Sequence, residues 1–330
     1  RGRHHDHRPA RDLPVSAPAK GLPVIGWLDR YHPALLSLIM LLLLATMYSL
    51  GFLSASLATI ETGPVAAGAL RVMLASLFLL IVTHVTGAGL VRSWTMWRYA
   101  SIYGVLCMAV PFTILPWTLT YVSNTTASIY YAVIPIEVLV LSRIFIGTPI
   151  SLRKWGGFAI ASAGLVLLAL SGSQGAEDTL AAPQLRPESQ IPLWVPHMAC
   201  LGTAVCIAMG AVLFQVMPKV SPVAITASAL LMGNLVAIPA LMLALPPTVP
   251  SPTAFFWVLV GGVISTGCGM IVRGMLIRRE SAIYTSTNGY IVPVITAVIG
   301  LLVLGETVGL VAIMSYLLVL GGLLLSRSRS

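Results

Sequence analysis

Apolar positions run through this chain in long blocks rather than in alternation, and short clusters of polar, Gly or Pro residues separate the blocks. Crossing a hydrocarbon core of about 30 Å takes roughly 20 apolar residues in a helix. Ten blocks meet that requirement, at residues 34–56, 65–86, 98–121, 125–146, 153–171, 193–215, 222–245, 254–276, 281–303 and 307–326. Stretches such as Leu35 to Leu44 and Leu317 to Leu325 lack the apolar/polar alternation of a membrane β-barrel strand, so each block reads as a transmembrane α-helix. The expected fold class is an all-α integral membrane protein with ten transmembrane helices.

The blocks also repeat. The spacing of Pro135, Gly147 and Gly164 recurs in Pro293, Gly305 and Gly322, and the same offset carries Ser123 onto Ser281 and Tyr130 onto Asn288. Internal duplication in an apolar chain is a pattern of secondary transporters. The organisation read from it is a disordered basic tail (1–33), a first five-helix repeat (34–171), a polar linker (172–192) and a second five-helix repeat (193–326). Five is odd, so the second copy enters the membrane from the opposite side and the two repeats are inverted. Charge agrees: Arg153 and Lys154 follow Gly147, whereas Glu306 follows Gly305 with no base beside it.

Composition sharpens this reading without changing it. Of 330 residues 57% are hydrophobic and 9% charged, too little polar surface to coat a soluble globule. The net charge of +9 concentrates in the tail and in alternate loops, from Arg1, Arg3, Arg8 and Arg11 through Arg92, Arg98, Arg153, Lys154 and Lys219 to Arg327 and Arg329, with Arg186 alone on the other side. That bias predicts both termini in the cytoplasm and accounts for the basic charge without a nucleic-acid partner; the expected location is the bacterial cytoplasmic (inner) membrane. Cys107, Cys200, Cys206 and Cys268 fall inside predicted spans and read as packing residues. His4, His5 and His7 form one short cluster in the tail, too little to define a metal site, and no metal or cofactor is expected.

The residues now in view resemble the drug/metabolite transporter superfamily, in particular its EamA-type ten-helix permeases. The resemblance rests on Pro293, Gly305-Glu306 and Gly321-Gly322 in the second half, and on Pro135 and Gly147 in the first, where Thr148 stands in place of the Glu. Pro64 through Arg71 is similar to the family's Pro and intramembrane Arg opening the second helix, and Tyr48-Ser49-Leu50-Gly51-Phe52 occupies the place of a Trp-Gly-Ser/Asn-Phe run. The resemblance implies transport of metabolites; Tyr48 and Arg71 are candidate substrate-binding or coupling residues.

Charge inside a bilayer costs about 2.5–3.5 kcal/mol at a helix centre, so each intramembrane charge asks for a reason. Glu137 lies roughly 18 Å into the fourth span at 1.5 Å per residue, and no other acid is so deep. It is either a coupling or binding group or a buried structural acid. Tyr130 is seven residues earlier, which returns to within about 20° of the same helix face, and Thr126 and Ser123 extend that stripe. Ser281, Tyr284 and Asn288 form the matching stripe of the second repeat, and two facing stripes could make one site or merely bond neighbouring helices. Arg71 either snorkels to the interface, pairs with Glu137 or holds an anionic group. Arg143 and Arg273 read as snorkelling residues near cytoplasmic helix ends, and Trp117, Tyr121, Tyr131 and Tyr290 as aromatic candidates for a pocket wall.

These readings converge on a secondary active transporter, an exporter of a small metabolite such as an amino acid or related compound, working by alternating access as a monomer or homodimer. Protons are the candidate coupling ion. No Walker motif is present for direct use of ATP, and a metabolite exchanger without proton coupling is the alternative. An enzyme is not expected, because the chain has no His-Glu-x-x-His metal motif and only His84 and His197 in or beside its spans.

Overall fold

A computed structural model describes residues 32–147, 151–175, 191–192, 194–246, 249–306 and 308–326. The expected tail up to residue 31 and most of the expected linker lie outside the described residues. The chain divides into two compact units, Arg1–Ile39 and Met40–Ser330, and the second holds the helical bundle with its cavities.

Ten helices are present among the described residues, which we number α1 (Pro33–Thr62), α2 (Pro64–Thr86), α3 (Trp94–Thr118), α4 (Asn124–Ile146), α5 (Leu152–Gly175), α6 (Trp194–Val216), α7 (Pro222–Leu243), α8 (Pro252–Arg279), α9 (Ala282–Leu304) and α10 (Leu310–Ser326). Eight are long and apolar enough to cross a membrane. The other two contain shorter apolar stretches, Trp155–Leu168 in α5 and Leu310–Gly322 in α10. The protein is an all-α integral membrane protein of two inverted five-helix repeats.

Each repeat packs against its copy in the same way: α2 against α7, α4 against α9, and α5 against α10. Small residues make the close crossings. A Cβ on Gly322 would lie 2.4 Å from the Gly157 carbonyl, and one on Gly164 2.8 Å from that of Ser315, so α5 and α10 approach backbone to backbone. Gly104 does the same in α3 against the Ala229 carbonyl of α7, and a Cβ on Gly262 of α8 would lie 3.0 Å from the Arg71 carbonyl of α2. The offset of the duplication relates these last two crossings to each other, pair for pair.

The duplicated Pro and Gly residues acquire individual jobs. Gly147 (φ 79°) and Gly305 (φ 66°) close α4 and α9 in the left-handed conformation that only glycine adopts without strain. Pro135 sits in the first turn of the second piece of α4 (Ile134–Ile146), after the piece Asn124–Tyr131 has ended at Ala132. Its missing N–H leaves the Tyr131 carbonyl without a helical partner, and α9 crosses at that point through Gly289, where a Cβ would lie 2.4 Å from that oxygen. Both α3 and α8 contain π-helical stretches, Val105–Ala109 and Val260–Cys268, at matching positions of the two repeats.

Candidate functional site

Two small adjoining cavities lie between the repeats, and Tyr48, Tyr131 and Ile207 line both. Each contains one buried arginine from a different repeat. Arg71 on α2 is 5% exposed and Arg273 on α8 is 3% exposed.

Arg71 is held by a set of contacts that the sequence could not show. Its Nε donates to Thr266 Oγ1 at 2.7 Å, Nη2 to Ser265 Oγ at 3.0 Å and Nη1 to the Gly51 carbonyl at 3.3 Å, while the guanidinium lies 4.6 Å from the Phe112 ring centre. Thr266 in turn donates to the Gly261 carbonyl at 2.8 Å, so its hydroxyl serves both the π-helical stretch of α8 and the arginine. Gly51 is required by this packing: a Cβ there would lie 2.2 Å from Ser265 Oγ. Arg71 therefore neither snorkels to the interface nor pairs with Glu137.

Arg273 corrects the sequence reading more sharply. It does not reach toward an interface but turns inward, donating through Nη2 to the Ile207 carbonyl of α6 and through Nη1 to Met270 Sδ at 3.9 Å. Tyr48 Oη donates to the same sulfur, also at 3.9 Å. Its cavity is completed by Thr285, Ser286 and Asn288 of α9. Among the described residues no carboxylate pairs with either arginine, and an ion pair between Arg279 and Glu280, at 3.8 Å, lies elsewhere. Two cationic groups are thus buried in adjoining small cavities, here called the crevice, and their partners among the described residues are hydroxyl, sulfur and carbonyl groups and the Phe112 ring. The signal for Arg273 is present in its position several residues inside the eighth span, but distance from a helix end cannot say whether a long side chain turns out or in.

The remaining candidates separate. Tyr48 and Asn288 line the crevice. Tyr130 and Glu137 instead line a separate, larger cavity of about 520 Å³ between α4, α5 and α6. Tyr130 is tied down there through its Oη, 2.8 Å from His197 Nδ1. Thr126 belongs to the N-cap of α4, where Ser123 Oγ accepts from the Thr126 amide at 3.1 Å and donates to Thr126 Oγ1 at 3.0 Å. Tyr284 has the matching place in α9, its amide donating to Ser281 Oγ at 3.0 Å, and its ring packs beside Leu41, Leu44 and Leu276. The two polar stripes are therefore led by helix caps and do not meet in one site. Trp117 pairs with Tyr121, ring centres 5.2 Å apart, and Tyr290 offers its carbonyl to the Tyr316 hydroxyl; neither lines the crevice.

One further carboxylate works between the repeats. Glu306, 2% exposed, accepts from the Asn124 amide and side chain, both at 2.9 Å, and from the Thr125 amide and hydroxyl at 3.1 and 2.8 Å. A negative group on the N-terminal amides of α4 satisfies donors the helix cannot and meets the positive end of its dipole. The equivalent first turn of α9 is served by a neutral group, the Ala282 amide donating to Gln215 Oε1 at 2.8 Å.

The EamA-like transporter family model matches residues 35–170 and again residues 194–328. The chain belongs to the EamA-like transporter family. It is accordingly a membrane transporter of small molecules, in keeping with the drug/metabolite transporter superfamily. No curated protein matches it in sequence. A solved structure titled "Crystal structure of protein" is similar in fold, with a TM-score of 0.60 and 15% identity over 87% of this chain and 94% of the other. The two matched segments of this EamA-like chain meet in the crevice, since Arg71 comes from the first and its partners Thr266 and Ser265 from the second.

Proposed function

We propose that this EamA-like protein is a secondary active transporter that exports a small metabolite bearing an anionic group, such as an amino acid or a related carboxylate, by alternating access in the bacterial cytoplasmic membrane with both termini inside. The observation that carries this reading is the pair of buried arginines, one from each repeat, without a carboxylate partner among the described residues. A guanidinium matches a carboxylate in geometry and charge, and burial strengthens the match because water no longer competes. Inverted repeats around a site at their interface give two related packings, one open to each side. The hydroxyl and amide groups of Tyr48 and Asn288 would orient the remainder of the substrate.

The test is counterflow in proteoliposomes with a panel of labelled amino acids and related carboxylates. Saturable uptake that an opposing load accelerates is expected. Replacing Arg71 or Arg273 by Gln should lower it roughly ten-fold or more, since a charged hydrogen bond contributes about 1.5–3 kcal/mol. Wild-type rates in both variants would remove the crevice as the substrate site, and uptake without counterflow would indicate a channel.

A further inference from the structure

The cavity between α4, α5 and α6 differs from the crevice in every respect that decides what binds. Its walls are almost wholly apolar, with Val133 and Leu141 from α4, Phe158 and Leu165 from α5, and Leu201 and Val205 from α6. Its mouth lies among outward-facing apolar side chains of α5 and α6: Val166 is 57% exposed, Leu170 62% and Met198 46%. In an integral membrane protein exposed apolar side chains of this kind meet hydrocarbon, so we infer that the opening faces lipid. At about 520 Å³ the space is within the usual range for a small-molecule site.

Glu137 is the acid in this cavity. It is 7% exposed, and its Oε2 is buried without a hydrogen-bond partner among the described residues. Among those residues no Lys, Arg or His lines the walls, and His197, which touches the wall residue Tyr130, is engaged with its hydroxyl. An acceptor buried without a partner at the wall of an apolar chamber is costly, and such groups are ordinarily satisfied, which a small turn of the Glu137 side chain toward a donor in the chamber would achieve. The complement is a molecule with one polar donor head and a hydrocarbon body.

We propose that this cavity binds a lipophilic amine that enters from the bilayer, its protonated nitrogen donating to Oε2 of Glu137 and its hydrocarbon lying along the walls. The charge of the head group is the opposite of that matched by the crevice, so the two sites take different molecules. A lipid acyl chain alone would fill the walls and leave Oε2 as it is, and an anionic amphiphile would meet the carboxylate unfavourably. The amine answers both the shape and the open acceptor.

The full-length protein in lipid nanodiscs should bind tritiated dodecyldimethylamine saturably, near one per chain. Dodecanol and dodecanoate, with the same chain, should displace it poorly. Glu137→Gln keeps the side-chain shape and should weaken binding at least ten-fold, and Val166→Trp at the mouth should also reduce it, with both variants retaining the wild-type melting temperature in the absence of amine. Absence of saturable binding, equal displacement by dodecanol, or unchanged affinity in Glu137→Gln would each overturn the proposal. Should Glu137→Gln fail to fold, the mouth variant and the alcohol comparison decide the question by themselves. Counterflow of the anionic metabolite is expected to survive Glu137→Gln, which separates failure of this site from failure of the crevice.

Discussion

Gly51 shows how much a single position can demand. Its missing Cβ makes room for Ser265 Oγ, which accepts from Arg71, so Gly51→Ala should push the serine away and free one arm of the guanidinium. Overpacking of this kind costs about 1–3 kcal/mol, and the thermal melt of the variant should fall accordingly. Adding Ser265→Ala should recover part of the loss, because the clash is with the hydroxyl; a double variant less stable than Gly51→Ala would sink this account. In the sequence, Tyr48, Gly51 and Arg71 are visible as family-like positions, but Ser265 and Thr266 are not, because two hydroxyls in a span of α8 carry no mark of what they touch. Arg273 is visible as a charge, and its direction is not. Insertion scales price a cation by depth alone, whereas here the Ile207 carbonyl and Met270 sulfur draw it inward.

At the scale of helices, the duplication that is plain in the spacing of Pro and Gly does two kinds of work. Pro135 marks a true break in α4, and Gly147 and Gly305 are conformational stops, so these are legible with their reason. The matched Ser123 and Ser281 are N-caps, a local role that a reading of facing stripes does not give them. Periodicity carries Tyr130 to the same cavity as Glu137, yet it cannot carry Thr126 there, since the first turn of a helix is spent on its own amides. Glu306 is the clearest gain at this scale. Its carboxylate takes four donors at the start of α4, so Glu306→Gln must turn an NH₂ toward at least one of them. A loss of about 1.5–3 kcal/mol is expected, read as a lower melting temperature in detergent. Gln215→Ala, which removes a neutral cap from α9, should cost less, about 0.5–1.5 kcal/mol; the reverse order would show that the charged cap is not the stronger tie.

The whole molecule is held together across its repeats rather than within them. α2 packs on α7, α4 on α9 and α5 on α10, and Arg71 and Glu306 each reach into the opposite half. Residues 1–175 and 191–330 expressed as separate chains should therefore co-purify as one complex, and either alone should be recovered poorly and aggregated. A first half that is monodisperse and stable by itself would contradict this dependence. The amino-acid sequence determined the number of spans, the duplication and the inversion, because hydrophobic length, spacing and an odd helix count are properties of the chain in one dimension. The tertiary structure decided which polar groups share a chamber. Arg71 and Arg273 lie far apart along the chain, and the face each presents depends on helix breaks, π-helical stretches and the neighbour packed against it. Two cations came to line adjoining cavities between the repeats, and Glu137 came to lie apart from them in an apolar cavity between α4, α5 and α6, because packing between repeats, rather than depth in a span, sets where a side chain can turn.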